Sequence, residues 1–282
     1  MAYFDKYGVE FSDNHRTLIN CPHDYEGAYS IPNGVVEIGD FAFGGCAGLT
    51  NVEIPDSVKK IGKMAFSGRR KLTSIIIPNG VTEIGSSAFE NCTGLRSIEM
   101  PESLEEIGMG AFSGCENLNN ICIHKNVKSI GKFAFANIGP SLFINVDGGN
   151  AHYCSDESGS LYSKDKSLLI HACNRVTNNL IIPEGVKKIN STAFQWSCFN
   201  MVSLPSSLEE IEAEAFLSAS IRKIYTHHKR PSDIVVGNDA FIGCAEYCTL
   251  YIPKDADDTA FNWHQEFKKF KMILFWNVGQ YW

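Results

Sequence analysis

Two short segments place a thiol beside an imidazole: Cys21-Pro-His23-Asp24 and His152-Tyr-Cys154. A cysteine nucleophile needs a base that takes its proton and a third group that orients the base. Sequence neighbours seldom meet that geometry, and both segments lie in turn-rich surroundings, so neither is read as catalytic. His227-His228, followed by Lys229 and Arg230, could form a metal or anion patch; a solvated loop is the plainer account. Asp147-Gly-Gly-Asn150 with Asp156 and Glu157 lacks the alternating acidic ligands and closing Glu of a calcium loop, which leaves a turn. Asn91-Cys-Thr93 and Asn190-Ser-Thr192 match the glycosylation acceptor pattern but fall in turns. The residues therefore assign no catalytic group, no metal site and no cofactor, and the chain is read as a non-enzyme.

The ten cysteines follow another logic. Cys46, Cys92, Cys115 and Cys244 each stand three residues after a phenylalanine, with Arg69 taking that place once. A column of thiols at a fixed offset is a packing position, because free cysteine behaves as a small hydrophobe. A disulfide is the alternative, and Cys92 with Cys115 would be the neighbouring pair. Cys21, Cys122, Cys154, Cys173, Cys198 and Cys248 show no metal spacing such as Cys-x-x-Cys.

The offset is fixed because the chain repeats. Phe43, Phe66, Phe89, Phe112 and Phe135 are 23 residues apart, each after an alanine. Ile31, Ile54, Ile77, Met100 and Ile123 keep that step, as do Ile38, Ile61, Ile84, Ile107 and Ile130. The beat returns at Phe194, Phe216 and Phe241 with steps of 22 and 25. A shift of 151 places Gly8, Phe11, Leu18, Ile31, Pro32 and Phe43 on Gly159, Tyr162, Leu169, Ile182, Pro183 and Phe194, so a longer module is used twice, at about 7–43 and 158–194. A unit this short cannot bury its own apolar face and must stack on copies of itself. Leu72, Ile75 and Ile77 read as a short strand ended by Pro78, Asn79-Gly80 as a turn, and Val81 to Ile84 as a second short strand. Ala88-Phe89 then sits in a tight coil or helical turn. The first strands of successive coils form a parallel sheet on one face, about 4.8 Å apart.

The unit Leu72-Thr-Ser-Ile75-Ile-Ile77-Pro78-Asn-Gly-Val81-Thr-Glu-Ile84-Gly85-Ser-Ser-Ala88-Phe89-Glu-Asn-Cys92 resembles the BspA-like leucine-rich repeat family. So does Gly159-Ser-Leu161-Tyr162-Ser-Lys164-Asp165 to Leu169. The resemblance covers roughly Tyr7 to Ile273 and fades at Ile138–Asp147 and Ile221–Asp239. It implies a right-handed repeat solenoid, α/β-type and strand-rich, over 1–257, with a C-terminal cap over 258–282. It also implies a surface or secreted protein that adheres to host proteins or other cells, and it carries over no catalytic motif.

A formal charge of −7 gives no support for nucleic acid or anionic membrane as partner. No apolar stretch reaches the 18 or more residues of a membrane helix. Met1 to Asp5 has neither a basic start nor an apolar run, so no signal peptide is expected in this chain. The segment 258–282 mixes Phe261, Trp263, Phe267, Phe270 and Leu274 with His264, Lys268, Lys269 and Lys271, as a helix or hairpin closing the core would. Phe275, Trp276, Tyr281 and Trp282 remain for a partner or for self-association.

The functional surface is expected on the open face of the parallel sheet, where alternate residues point outward. These are Thr50, Asn51 and Glu53; Thr73, Ser74 and Ile76; Arg96, Ser97 and Glu99; Asn119 and Asn120; and, further on, Cys122, Asn178, Asn179 and Ile181. The face is mixed polar and suits a protein or glycan on a cell surface or matrix. The competing reading is a structural spacer that assembles through its ends and aromatic tail.

Overall fold

Each coil runs strand, turn, short strand, turn, and the hydrogen bonds of one coil are completed by the next. In the computed structural model this pattern is described for residues 2–139, 141–175, 177–244, 246–263 and 265–277, with Trp263 by its backbone alone. The chain divides into two units, Met1–His152 and Tyr153–Trp282.

The first unit opens with an antiparallel meander of Tyr3–Phe4, Glu10–Phe11 and Thr17–Asn20. Its last strand pairs in parallel with Glu37–Ile38, and the sheet continues through Lys60–Ile61, Glu83–Ile84, Glu106–Ile107 and Ser129–Ile130. The repeat isoleucines pair register for register, Ile38 to Ile61 to Ile84 to Ile107 to Ile130. On the other face the strands pair two by two: Glu26–Ser30 with Gly48–Glu53, Ser74–Ile76 with Ser97–Glu99, and Asn120–Ile123 with Phe143–Val146.

The turns of the first two pairs are tied by a serine. Ser57 Oγ takes the Gly34 amide at 3.1 Å and donates to the Val35 carbonyl at 2.7 Å. Ser103 does the same for Gly80 and Val81, at 2.9 and 2.8 Å. Turns of the type Pro-Asn-Gly therefore alternate with Pro-Asp-Ser or Pro-Glu-Ser, and each serine clamps the coil before it. In the third pair Asn150 Nδ2 reaches the Val127 carbonyl at 3.0 Å.

The core is the phenylalanine column. Phe43, Phe66, Phe89, Phe112 and Phe135 lie ring over ring, with centroids 4.9, 5.1, 5.6 and 6.1 Å apart. All are buried, and burying each contributes roughly 1.5–3 kcal/mol by area. Beside it runs the thiol column. Cys92 Sγ donates to the Phe66 carbonyl at 3.0 Å and Cys115 Sγ to the Phe89 carbonyl at 3.1 Å. Arg69, which interrupts the column, is also buried and donates through Nη2 to the Gly44 carbonyl at 2.8 Å.

Two backbone features let coils approach. Gly62, Gly85, Gly108 and Gly131 sit directly on the preceding coil; a Cβ on Gly85 would lie 2.6 Å from the Gly62 carbonyl carbon. Two residues after Gly39, Gly62, Gly85 and Gly131, the residues Phe41, Met64, Ser87 and Phe133 hold φ between 53° and 60°. That left-handed conformation costs roughly 1–2 kcal/mol for a residue with a side chain. It aims the amides at the next coil: Met64 N at the Ser86 carbonyl and Ser87 N at the Met109 carbonyl, 2.9 and 2.8 Å away.

The second unit starts with the same meander, displaced by 151: Tyr153–Ser155, Leu161–Ser163 and Leu168–His171. Both meanders shift register at the same step, Glu10/Phe11 and Leu161/Tyr162. The long module is thus a device for starting a sheet. It is followed in parallel by Lys188–Ile189, Glu210–Ile211 and Val235–Val236. On the opposite face Asn179–Ile181, Met201–Ser203, Lys223–Tyr225, Thr249–Pro253 and Met272–Trp276 form one parallel sheet. Phe194, Phe216 and Phe241 stack at 4.4 and 5.0 Å.

The two stretches where the sequence loses phase are coils like the others: Phe143–Val146 and Lys223–Tyr225 are strands in register with their neighbours. The C-terminal segment is neither one amphipathic helix nor a hairpin. A six-residue helix, Asp258–Trp263, and a short 3-10 turn, Phe267–Lys269, lead into Met272–Trp276, which adds to the sheet in parallel. Phe261, Phe267 and Phe270 are buried and Leu274 is exposed. His264, Tyr281 and Trp282, and the side chain of Trp263, lie outside the described residues.

Candidate binding face

The strands of the first unit's paired face alternate as a pleated backbone must. Val52, Ile75, Ile98 and Ile121 point into the core and are buried. Thr50, Asn51, Glu53, Thr73, Ser74, Ile76, Arg96, Ser97, Glu99, Asn119 and Asn120 point outward, and every one is exposed. Register brings Ser74 beside Ser97 and Ile76 beside Glu99. Ile76 is 63% exposed, an apolar spot among polar neighbours. Among the described residues no ion pair engages Arg96 or Glu99, so both charges face solvent. A shallow groove of about 480 Å³ runs along the ends of these strands and is lined by Ile54, Ile76, Asn79, Glu99, Met100 and His124.

The sequence pairs of thiol and imidazole do not make a catalytic centre. Cys21 is buried, and the neighbouring Cys46 thiol together with burial pushes its pKa far up. Cys154 donates to the Ser163 carbonyl at 3.3 Å, and burial raises its pKa also. A thiol–imidazole contact that sequence reading passed over lies on the open face. Cys122 Sγ is 4.0 Å from His124 Nδ1, and Asn145 Nδ2 is 3.9 Å from the same sulfur. His124 Nε2 donates to the Met100 carbonyl at 3.0 Å, which leaves the Nδ1 lone pair toward the thiol. The signal was the strand period, since residues two apart share a face. The separation exceeds the ~2.6–3.2 Å reach of a general base.

His228 is buried, contrary to a solvated loop: its Nε2 donates to the Leu208 carbonyl at 2.8 Å, and Nδ1 lies 3.0 Å from Thr226 Oγ1. His227 packs against Trp276, 5.0 Å between ring centres, and burial lowers its pKa. Lys229 pairs with Asp255, and Arg230 with Asp233 at 3.0 Å. The acidic segment is a set of turns: Asp147 Oδ1 takes the Gly149 amide at 2.7 Å and Asp156 Oδ1 the Ser160 amide at 2.9 Å.

In the second unit the columns on the side away from the phenylalanines are Asn179, Met201, Lys223, Thr249, Met272 and Ile181, Ser203, Tyr225, Tyr251, Leu274, of which Met201, Ser203 and Tyr225 are buried. Tyr225 and Tyr251 stack at 4.4 Å. Trp276 stands edge-on to Tyr225 and donates to the Thr226 carbonyl at 3.1 Å.

Coils of this length, stacked through phenylalanine and thiol columns, are matched by the BspA type leucine-rich repeat region in six copies, over residues 27–142 and 171–276. The chain belongs to the BspA-type leucine-rich repeat family. Among solved structures, a leucine-rich repeat protein from Eubacterium ventriosum superposes with a TM-score of 0.70 at 23% identity. That match covers 80% of this chain but only 60% of the other protein. A leucine-rich cell surface protein from Faecalibacterium prausnitzii gives 0.65 at 22% identity, covering 98% and 94% of the two chains. The pneumococcal vaccine antigen PcpA gives 0.62 at 18% identity, covering 99% of each. At these identities the likeness establishes the fold. Comparison with curated protein sequences gave no match. BspA-type repeats build a scaffold of spread-out coils, and among the described residues none of the helices is long and apolar enough to cross a membrane.

Proposed function

We propose that this BspA-type protein is a non-enzymatic adhesion module that holds a protein partner at a cell surface through the outward residues of the first unit's strands. One observation carries the reading: all eleven outward side chains from Thr50 to Asn120 are exposed while the alternating residues are core. The repeat dictates the inward positions and leaves the outward ones free to be chosen for a ligand. Among the described residues polar groups are spread along the coils, whereas small-molecule sites usually gather a few of them in an apolar pocket. Cell-surface placement belongs to the same reading and draws support from a fold shared with the F. prausnitzii cell surface protein.

Exchanging the charges, Arg96→Glu with Glu99→Arg, keeps net charge and fold while reversing the local field. Binding to a panel of immobilised matrix and cell-surface proteins is expected to fall at least tenfold. Retention of every wild-type interaction by the exchanged protein would remove the site from this face.

A second reading rests on Met272, Leu274 and Phe275, exposed on the last strand of the five-stranded sheet. Self-association there predicts a mass that rises with concentration in light scattering and is lost in Leu274→Glu.

A further inference from the structure

We propose that the second unit carries a separate groove for a carboxylate-bearing polysaccharide, anchored by Arg222. The groove, about 910 Å³, lies where the chain enters the five-stranded sheet, and Asn178, Asn200, Ser220, Arg222 and Tyr247 line it. Buried Phe199 and Ile221 support these residues from the core side.

Three features specify the ligand. Arg222 is the only charged side chain among the described residues lining the groove. It is exposed, and none of the ion pairs in either unit includes it. A guanidinium without a counter-ion presents a planar fork of donors that fits a carboxylate bidentately.

Second, Asn178, Asn200 and Arg222 hold the same outward place on three successive coils. Asn200 N donates to the Asn178 carbonyl at 2.7 Å and Arg222 N to the Phe199 carbonyl at 3.3 Å. Their side chains are therefore set in a row at the strand separation of about 4.8 Å, close to the length of one pyranose ring. Amides both donate and accept, as a row of sugar hydroxyls requires.

Third, Tyr247 stands at the end of the row, 81% exposed, with Lys271 Nζ 5.8 Å from its ring centre. It offers a flat apolar face with a polar tip on which a sugar ring can lie. A peptide is disfavoured here. A peptide that adds as a strand needs a free sheet edge, but the strands bearing Asn179 to Ile181, Met201 to Ser203 and Lys223 to Tyr225 are bonded to one another along this stretch.

The test is calorimetry at low salt with oligosaccharides of hyaluronan and of polygalacturonate, their carboxyl-reduced forms, and poly-glutamate. The expected result is binding of at least one uronate oligosaccharide and none of its reduced form. Arg222→Gln should lose about tenfold in affinity, equivalent to about 1.4 kcal/mol; Tyr247→Ala should lose a similar factor, and Arg222→Lys should recover part of the loss. Both side chains are exposed, so melting temperatures of all three variants stay at wild type. The Arg96→Glu, Glu99→Arg protein binds normally, which separates this site from the first unit's face. Binding of neither uronate, binding undiminished in Arg222→Gln, or equal binding of poly-glutamate would overturn the proposal, the last in favour of an acidic peptide.

Discussion

The sharpest consequence of the stacking geometry is at Gly85. Its φ is not left-handed, so backbone preference alone favours replacement: Gly→Ala at a compatible site stabilises by about 0.4–1 kcal/mol. The packing says the reverse. An alanine Cβ would stand 2.6 Å from the Gly62 carbonyl carbon, 2.7 Å from Lys63 N and 2.8 Å from the Gly62 oxygen. All three are backbone atoms that cannot rotate away, and ordinary contact begins at 3.4 Å. The coils must part by several tenths of an ångström, which stretches the bond from Gly85 N to the Ile61 carbonyl, now 2.8 Å. Overpacking of this kind costs about 1–3 kcal/mol. For a unit of this size each kcal/mol moves the melting temperature by about 2–4 °C, so Gly85→Ala is expected to melt about 2–12 °C lower. Gly148→Ala is the control, because nothing lies within 4 Å of its added Cβ and its φ is not left-handed. Circular dichroism melts of the two variants decide the matter. A Gly85→Ala protein as stable as Gly148→Ala would refute the close-contact argument.

Other expectations follow from single contacts. Ser103→Ala removes a hydroxyl that both accepts from Gly80 and donates to Val81. At about 0.5–1.5 kcal/mol per bond it should lower stability by about 1–3 kcal/mol in a urea titration. Thiol labelling at pH 8 should modify exposed Cys198 in the native protein, and Cys92 and Cys115 only on unfolding. Burial pushes Cys92 up to about 12 and raises Cys115 as well; mass spectrometry of labelled peptides reads the order. Glu212 supplies a pH signature. Burial opposes its ionisation, but the Lys188 ammonium and the Ser191 amide and hydroxyl outweigh it and hold the carboxyl below 4.5. Stability from a depressed carboxyl is present above the unfolded value and lost as pH falls through the folded one. Glu212→Gln should therefore be less stable than wild type at neutral pH, with the gap closing as pH drops below about 4. Denaturant titrations from pH 7 to 3 check this.

The coil length and core were legible because Phe, Ile and Cys recur at fixed offsets, and only stacking can bury them. The phase was lost where polar residues replace the marker. Thr226 and His227 stand where other coils have isoleucine and proline, yet Ile221 and Ile224 keep the inward places and are buried. Near Phe143 the cue was equally thin, since Asp147 follows Val146 in place of proline. The repeated long module was visible as a 151-residue shift, but its role in opening a sheet was not, since Glu10–Phe11 and Leu161–Ser163 are too short to announce themselves as strands. Asn51, Glu53, Ser74, Ile76, Ser97, Glu99 and Asn120 could be named from strand alternation; Thr50, Thr73, Arg96 and Asn119 each directly precede an outward residue, and a period of two does not place them. The hollow lined by Asn200, Arg222 and Tyr247 could not be named that way, because it depends on how three loops of unequal length end beside the sheet.

The clamp between glycine-bearing and serine-bearing turns gives the stack a parity. Joining residue 54 directly to residue 78 would remove one coil and set Gly34 against Gly80, so that Gly34 would lose its serine while Gly80 kept Ser103. Removing a coil and its successor together would keep every glycine facing a serine. This stretch shortens without loss by even steps, whereas removal of the single serine-bearing coil hands the exposed Gly34 amide over to water.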